Sequence, residues 1–217
     1  MKWAVLTGDI VDSSALPPDA LDAIMRDIQN ISLEGADWLH ADGDTTYTGF
    51  ARRGGDGWQI AINRPLLALR LALYINARLR ILNLDYATRI AAATGEGDLP
   101  AMMKESVYNP FGLAFDDLNS AHGAAFTASG RLLDELAGHT LMAHADGGAV
   151  DAAFRLADHI SQGWTQAQAR SLCLMLPPGA GPRRVAAETL GISRQAVDQA
   201  LNGAGYPALI DALEAIE

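Results

Sequence analysis

The sequence predicts an α+β fold in which a sheet with helices is followed by an all-helical segment. Strand-like and helix-like segments alternate along the first two thirds of the chain, and a glycine-rich turn at residues 54–57 separates two apolar strand-like runs. Beyond residue 147 every segment is helix-like, with short breaks that contain glycine and proline. We therefore predict two domains, residues 1–146 and 147–217, with a connector helix at about residues 149–162.

The first three elements of the predicted sheet have clear local signals. The run KWAVLTGDIVDS predicts a strand that ends near Asp9. The following segment opens with PPDALD, a helix-start pattern, and places Leu21, Ile24 and Ile28 on one helical face. The runs TTYTGFA and WQIAIN flank the glycine-rich turn and therefore predict a β-hairpin.

The remaining elements of the first domain alternate in the same way. A helix is predicted from Pro65 through LALRLALYINARLRILN, a run without internal glycine. Residues 88–94 predict a strand that is stopped by Gly95 and Gly97. A helix at about residues 120–136 and a short strand in TLMAHAD complete the pattern.

Composition and charge limit the classes of function. The chain has 217 residues, of which 49% are apolar and 19% charged, as in globular proteins. The formal net charge of −10 argues against binding of nucleic acid through bulk charge, so any DNA contact has to come from a local patch. No apolar run reaches the roughly 20 residues of a membrane span, and no signal-peptide segment is visible at the N-terminus. We expect a soluble cytoplasmic protein.

Two aspartates in glycine-rich surroundings form the first candidate site. Asp9 ends the first strand and Asp56 lies in the hairpin turn, so the two carboxylates face each other if these elements are adjacent. Mg²⁺ and Mn²⁺ bind to such hard oxygen ligands together with substrate phosphates. Turn chemistry alone also explains an aspartate in a glycine-rich turn, and this alternative stays open. The glycines whose backbone amides can approach a triphosphate are Gly54, Gly55 and Gly57.

Four motifs in chain order, LTGDIVDSS, GGDGWQIA, TRIAAATGEGDL and AHGAAFTASGRLL, resemble the catalytic domain of class III nucleotide cyclases. The resemblance implies a ferredoxin-like, palm-type sheet and an active site at a dimer interface. It implies that Asp9 and Asp56 bind the metal ion and that the backbone carbonyl of Ile10 completes the site. It also implies that Arg52 occupies the base-recognition position and that Arg131 stabilises the transition state.

Two positions depart from the cyclase pattern. Thr127 stands where the family has its catalytic asparagine, and Arg52 stands where adenylyl cyclases have a lysine, whose ammonium differs from a planar guanidinium. GGDGW also resembles the Gly-Gly-Asp-Glu-Phe signature of diguanylate cyclases, with Gly57 in place of the glutamate. If the protein turns over a substrate, Arg131 and Thr127 are its candidate catalytic residues.

Nearly the whole chain resembles SatD-family proteins. The matching motifs are GDIVDSSAL, GDGWQIAI, RIAAATGEGDL and GAAFTASGRLLDEL, followed by a C-terminal helix-turn-helix. The resemblance implies an architecture, a cyclase-like domain followed by a helical domain, and it carries little information on activity.

The stretch GPRRVAAETLGISRQAVDQALNGAGY has the apolar spacing of a helix-turn-helix DNA-binding unit. Exposed residues at the start of its second helix can contact base edges in the major groove. A helical bundle that serves only packing or dimerisation is the open alternative, because acidic residues outnumber arginines in this tail. The candidate DNA-binding residues are Arg183, Arg184, Ser193, Arg194, Gln195 and Gln199.

We therefore expect a DNA-binding transcriptional regulator whose cyclase-like domain dimerises and binds a nucleotide or cyclic nucleotide, with Mg²⁺ or Mn²⁺, without turnover. The alternative is an active nucleotidyl cyclase or other phosphoryl-transfer enzyme that uses Asp9 and Asp56 with the metal ion. A third interpretation is a cyclase-fold interaction protein without a ligand. The expected partners are DNA, the nucleotide and a second copy of the chain, with no membrane.

Overall fold

The computed structural model describes residues 2–38, 46–98, 113–115, 118 and 121–217. The fold is α+β, as predicted, and none of the described helices is both long and apolar enough to cross a membrane. The strands are β1 (Lys2–Ile10), β2 (Tyr47–Arg53), β3 (Gly57–Ile62), β4 (Thr88–Asp98), β5 (Leu113–Phe115), β6 (His122–Gly123) and β7 (Met142–His144). The helices are α1 (Pro18–Ala36), α2 (Ala68–Leu82), α3 (Ala124–Glu135), α4 (Gly148–Gln162), α5 (Gln166–Met175), α6 (Arg183–Leu190), α7 (Arg194–Gly203) and α8 (Tyr206–Ile216).

The strands form one mixed sheet. Their order is β5-β2-β3-β1-β4-β6, and β7 also pairs with β4. The pairs among β2, β3, β1 and β4 are antiparallel, whereas β5 and β7 run parallel to their neighbours. The predicted hairpin is confirmed as β2 and β3, with Arg52 opposite Trp58. Since β1 lies between β3 and β4, its C-terminal end reaches the hairpin turn, where Asp9 pairs with Gly57.

Helices α1 and α2 cover one face of this sheet. Helix α1 begins at Pro18, where the missing N–H would lack an intrahelical partner in any case. Its apolar residues recur every three or four positions, so Ile24, Ile28 and Ile31 are fully buried against the sheet. Leu71 of α2 is equally buried. Each such side chain stabilises the fold by about 1.5–3 kcal/mol. These residues belong to the larger hydrophobic cluster of the protein, which therefore lies on this face.

Helix α3 covers the opposite face with a smaller apolar cluster. Val5 of β1 and Phe126 of α3 are both buried there. The same interface contains a buried polar contact, in which the hydroxyl oxygens of Thr7 and Ser129 lie 2.7 Å apart. The two faces of β1 therefore carry different environments, and alternate residues of the strand enter one or the other.

Strand β4 is longer than predicted, because it continues past both glycines of the GEG motif to Asp98. Gly95 lies beneath α3, where an added Cβ would be 3.3 Å from the Ala125 nitrogen. The missing side chain thus permits close packing of helix on strand and does not end the strand. The helix predicted from about residue 120 begins later, at Ala124, and residue 120 lies outside the described residues.

The helices after residue 147 pack on the same core as α2. The helix predicted at about residues 149–162 is confirmed as α4, and its role as a connector stays a prediction. Leu172 of α5 and Leu201 of α7 belong to the hydrophobic cluster that contains the buried side of α2. The indole of Trp164 donates a hydrogen bond of 2.9 Å to the Ala204 carbonyl. The C-terminal helices therefore share a core with the sheet's helices, and the domain boundary near residue 147 stays a prediction.

Candidate functional site

The hairpin turn and the end of β1 meet at one end of the sheet. The Ile10 backbone N–H donates to the Asp56 carbonyl at 3.2 Å, which fixes the turn against β1. The Ser13 hydroxyl donates to the Asp56 carboxylate and holds that side chain toward the residues that follow β1. Two of the predicted metal ligands, Asp9 and Asp56, are thereby brought to the same place by a local turn and one strand pairing.

Glycines at this end of the sheet are required by close contacts. Gly54 has a φ of 62°, a left-handed conformation that favours glycine in the turn. At Gly57 an added Cβ would lie 2.5 Å from the Arg53 carbonyl oxygen, so only glycine allows the hairpin to close in this way. These glycines shape the turn that carries Asp56, which accounts for the glycine-rich motif before any ligand is considered.

Asp9 and Asp56 line one cleft of about 320 Å³ that is open to solvent. Its other wall is the chain that follows α3, at residues 136–138. The predicted carbonyl ligand Ile10 is also part of the lining. We call this feature the Asp9–Asp56 cleft, and its lining residues are Asp9, Ile10, Val11, Asp12, Asp56, Arg89, Leu136, Ala137, Gly138 and Leu141.

Arg89 is a cleft residue that sequence reasoning did not identify. It lies opposite Asp9 in the β1–β4 pairing, and its guanidinium donates to both Asp9 oxygens, with Nε at 2.8 Å from Oδ1. A third hydrogen bond of 2.9 Å runs from Nη1 to the Leu136 carbonyl. The hydrogen bond to Asp9 is the main cause that raises the pKa of Arg89, and burial opposes it. The pair thus links the end of β1 to the chain after α3.

Charge in the Asp9–Asp56 cleft favours cations. Three carboxylates, those of Asp9, Asp12 and Asp56, face one guanidinium, that of Arg89. A phosphate ligand therefore needs a divalent cation to offset the carboxylates. The carboxylates and the Ile10 carbonyl are hard oxygen ligands suited to Mg²⁺ or Mn²⁺, but a metal ion on Asp9 requires Arg89 to release an oxygen. Within the described ranges, no group of three or more His, Cys, Asp or Glu side chains is placed to hold a metal ion.

Arg52 lies on the other side of the sheet from Asp9. Its Nε donates to the Gly55 carbonyl at 2.8 Å, and its Nη1 donates to the Asp22 carboxylate of α1 at 2.7 Å. Arg89, by contrast, contacts the chain after α3. The structure therefore does not bring Arg52 into the Asp9–Asp56 cleft of the same chain, and the role of Arg52 in base recognition stays a prediction.

The predicted catalytic pair lies on the outer surface of α3. Thr127 and Arg131 are exposed and one helical turn apart, so both side chains project from the same side of the helix. Neither side chain has a hydrogen bond or ion pair with another residue of the described chain. Neither lines the Asp9–Asp56 cleft. Within one chain these two residues are therefore separate from the candidate metal ligands.

A second candidate surface is formed by α6, α7 and the turn between them. The turn contains Gly191, with a φ of 65°, and it ends at Ser193, whose hydroxyl accepts from the Ala196 N–H at 3.1 Å. Ser193 therefore caps the N-terminus of α7. Val197 and Leu201 of α7 are fully buried. The opposite side of α7 exposes Arg194, Gln195 and Gln199.

Acidic side chains neutralise part of the positive charge on this surface. Arg183 donates to Asp198 at 2.7 Å, so α6 and α7 are joined by an ion pair. Arg184 pairs with Glu188 at 2.5 Å along α6. The side chain of Arg194 is 73% exposed and lies 3.8 Å from Asp198. The candidate DNA-binding arginines are thus placed on one surface but are not surrounded by excess positive charge.

No protein-family model matches the chain, and no curated protein matches it closely. The resemblance to the SatD family and to class III cyclases rests on the short motifs themselves. The geometry of the two candidate surfaces is consequently the basis for any functional conclusion.

Proposed function

We propose that the protein is a DNA-binding transcriptional regulator that forms a homodimer and binds a nucleotide-type ligand with a divalent cation in the Asp9–Asp56 cleft. The observation that carries the proposal is the exposed start of α7. Arg194 and Gln195 follow the Ser193 cap directly, and one side of the helix remains open while the other is buried. This arrangement is the one in which a helix-turn-helix unit presents its second helix to the major groove.

The exposed side chains of α7 have the chemistry of base readout. Arginine donates in a fork to guanine, and glutamine exchanges two hydrogen bonds with adenine. In a chain with a net charge of −10, such direct contacts have to supply most of the attraction. Arg183 and Arg184 on α6 are placed to contact phosphates once DNA competes with their acidic partners.

The cleft supports the ligand part of the proposal. Its carboxylates provide hard oxygen ligands, and Arg89 provides a guanidinium that can contact a phosphate. When bound, the divalent cation would supply positive charge that neutralises phosphate oxygens. Asp9, Asp56 and the Ile10 carbonyl are the residues that would hold this ion. We expect binding without turnover, since Thr127 stands where the class III cyclase pattern has its catalytic asparagine.

The shared core provides a physical route between the two sites. Helix α2 packs on the sheet that carries the cleft and also against α5 of the C-terminal helices. Arg70 of α2 adds a bidentate ion pair with Glu217, at 2.6 and 2.8 Å. A ligand that shifts the end of β1 can therefore change the position of the C-terminal helices, which include α7. This effect requires that the ligand binds more tightly to one of two arrangements of the core than to the other.

DNA binding can be tested by selecting sequences from a random double-stranded pool and measuring their affinity by fluorescence anisotropy at two salt concentrations. We expect an enriched sequence, and we expect Arg194→Ala and Gln195→Ala each to weaken it by about 1–3 kcal/mol. Arg170→Ala, an exposed arginine of α5, is the matched control and should bind as the wild type. Failure to enrich any sequence, or wild-type affinity in both α7 variants, would refute DNA readout by α7.

A second candidate function is nucleotidyl cyclase or other phosphoryl-transfer activity. It is favoured by the exposure of Thr127 and Arg131, because side chains without partners among the described residues of their own chain are available to the cleft of a second copy. Incubation with ATP or GTP and Mn²⁺, followed by chromatography, tests it. The activity predicts a product that is lost in Asp56→Ala and Arg131→Ala and kept in Arg170→Ala. The absence of product with the wild-type protein would exclude turnover of these substrates.

A further inference from the structure

A second cleft lies on the α1 side of the sheet. It measures about 300 Å³, is open to solvent, and is bounded by α1 and the end of β2. Its volume is at the lower end of the range of about 300–1,000 Å³ that small-molecule sites have. We call it the Arg52 cleft, and its lining residues are Asp22, Met25, Arg26, Gln29, Phe50 and Arg52.

One guanidinium in the Arg52 cleft is held in a fixed orientation. Two of the five N–H groups of Arg52 donate hydrogen bonds, one to the Gly55 carbonyl at 2.8 Å and one to the Asp22 carboxylate at 2.7 Å. The hairpin turn and α1 therefore hold this side chain from two directions. Its remaining donors bind no other residue in the part of the chain that the structure describes, so they can bind a ligand with little further loss of side-chain entropy.

The second guanidinium carries the uncompensated charge. Arg26 is exposed and has no hydrogen bond or ion pair with any other residue that the structure describes. Asp22 is already paired with Arg52, so the lining has one more positive than negative charge. In a chain with a net charge of −10, this local excess distinguishes the Arg52 cleft from most of the surface.

The floor of the Arg52 cleft consists of two nearly buried side chains. Met25 and Phe50 belong to the main hydrophobic core, with exposed fractions of 3% and 6%, so almost none of their apolar surface is open to a ligand. The two arginines therefore supply the recognition. Planar anions such as carboxylates match the fork geometry of the arginines above the floor.

We propose that the Arg52 cleft is a binding site for a small planar organic anion, held by Arg26 and Arg52. This site is distinct from the Asp9–Asp56 cleft, where carboxylates outnumber cations and a phosphate ligand needs a metal ion. Binding in the Arg52 cleft requires no metal ion. The proposal therefore goes beyond the regulator function, and the two can be tested independently.

The test uses the full chain labelled with ¹⁵N in metal-free buffer, with benzoate and phenyl phosphate as the two anionic probes. Neutral benzamide is the matched probe without charge. We expect saturable backbone shifts at residues of α1 and β2 with one or both anions and much weaker shifts with benzamide. Arg26→Ala, which breaks no described contact, should raise the Kd about tenfold or more, and Arg170→Ala should leave it unchanged.

Each other outcome would overturn the proposal. Equal shifts with benzamide would show an apolar site without anion recognition. An unchanged Kd in Arg26→Ala, or shifts confined to the Asp9–Asp56 cleft, would show that the Arg52 cleft does not bind the anion. The relative affinity for benzoate and phenyl phosphate identifies carboxylate or phosphate as the preferred anionic group. Because no divalent cation is present, failure here leaves the metal-dependent nucleotide proposal untouched.

Discussion

Arg89 and Asp9 face each other across the β1–β4 pairing, and the guanidinium donates to both oxygens of the carboxylate. The same carboxylate is a candidate metal ligand. Arg89 and a divalent cation therefore compete for Asp9, and the affinity of the cleft for metal ions depends on the strength of this ion pair. Both side chains are partly exposed, which moderates the competition.

Replacing Arg89 by glutamine is expected to strengthen metal binding. The variant removes the competing charge and frees the Asp9 oxygens, so we predict that Mn²⁺ affinity rises about tenfold, which corresponds to about 1.4 kcal/mol. Calorimetric titration of Mn²⁺ in the absence of nucleotide measures the change. Arg155→Gln, which breaks an Arg–Asp pair on α4, is the control and should leave Mn²⁺ affinity unchanged. Equal affinity in Arg89→Gln and wild type would mean that Asp9 does not bind the ion.

Gly8 is expected to tolerate no side chain. An added Cβ would lie 2.4 Å from the Arg89 carbonyl oxygen and 2.4 Å from the ring of Trp58, which is fully buried. Neither neighbour can move easily, so Gly8→Ala should destabilise the protein by at least about 1–3 kcal/mol in urea unfolding. Gly55→Ala is the control, because no atom lies within 4 Å of its added Cβ. Comparable stability of the two variants would contradict the packing of Trp58 against β1.

His144 is expected to make stability depend on pH near neutrality. Burial lowers the pKa of its imidazole from 6.5, against the opposing charges of Asp146 and Asp151. The folded state then binds fewer protons than the unfolded state between the lowered pKa and 6.5. The contribution of neutral His144 to stability is therefore complete above 6.5 and declines as the pH falls through this window.

The variant His144→Gln removes this titration. We predict that the wild type loses more unfolding free energy than His144→Gln between about pH 7.5 and about pH 5.5, as measured by urea unfolding at both values. The exposed His159 provides the control, since His159→Gln should retain the wild-type slope. Parallel pH profiles for wild type and His144→Gln would rule out a lowered pKa. The pKa of Asp151 is lowered from 3.8, so its own effect on the free energy of unfolding changes only at more acidic pH.

The ion pair of Arg70 and Glu217 is expected to stabilise the contact between the C-terminal helices and α2. The Arg70 side chain is only 4% exposed, and Glu217 accepts two of its three hydrogen bonds. Glu217→Ala leaves the buried guanidinium with one bond and should cost about 1–3 kcal/mol. Glu214→Ala, an exposed residue of α8, is the control. If the shared core makes the chain unfold as one unit, Glu217→Ala shifts a single urea transition; loss of the C-terminal helices alone would contradict that view.

Local patterns were sufficient to predict the hairpin, whereas the meeting of Asp9 and Asp56 also depends on the pairing of β1 with β3. The glycines at residues 54–57 specify the turn, and antiparallel strands on both sides follow from it. The predicted helix at about residues 149–162 also depends on residues close in sequence, and the structure confirms it as α4. Strands β5 and β6 were not predicted, since runs of three and two residues have no periodicity of their own.

Side-chain placement that depends on long-range pairing was missed. Arg89 meets Asp9 across 80 residues of sequence, through a β1–β4 register that no local motif reveals. The position of Arg52 also depends on strand pairing. Arg52 lies opposite Trp58, whose side chain faces α1 and α2, so Arg52 lies on that face of the sheet. Because side chains alternate between the two faces, Arg52 and Asp9 are on opposite faces within one chain.

The central claim is that ligand in the Asp9–Asp56 cleft changes the affinity of α7 for DNA. The most direct measurement is the Kd for the selected DNA sequence with and without ATP, GTP, cyclic AMP or cyclic GMP, each with Mg²⁺, in wild type and in Asp56→Asn. We predict that at least one nucleotide changes the Kd by about 5- to 150-fold, that Asp56→Asn abolishes the change, and that the exposed control Asp211→Asn retains it. An unchanged Kd with every nucleotide, or a change that persists in Asp56→Asn, would contradict the claim.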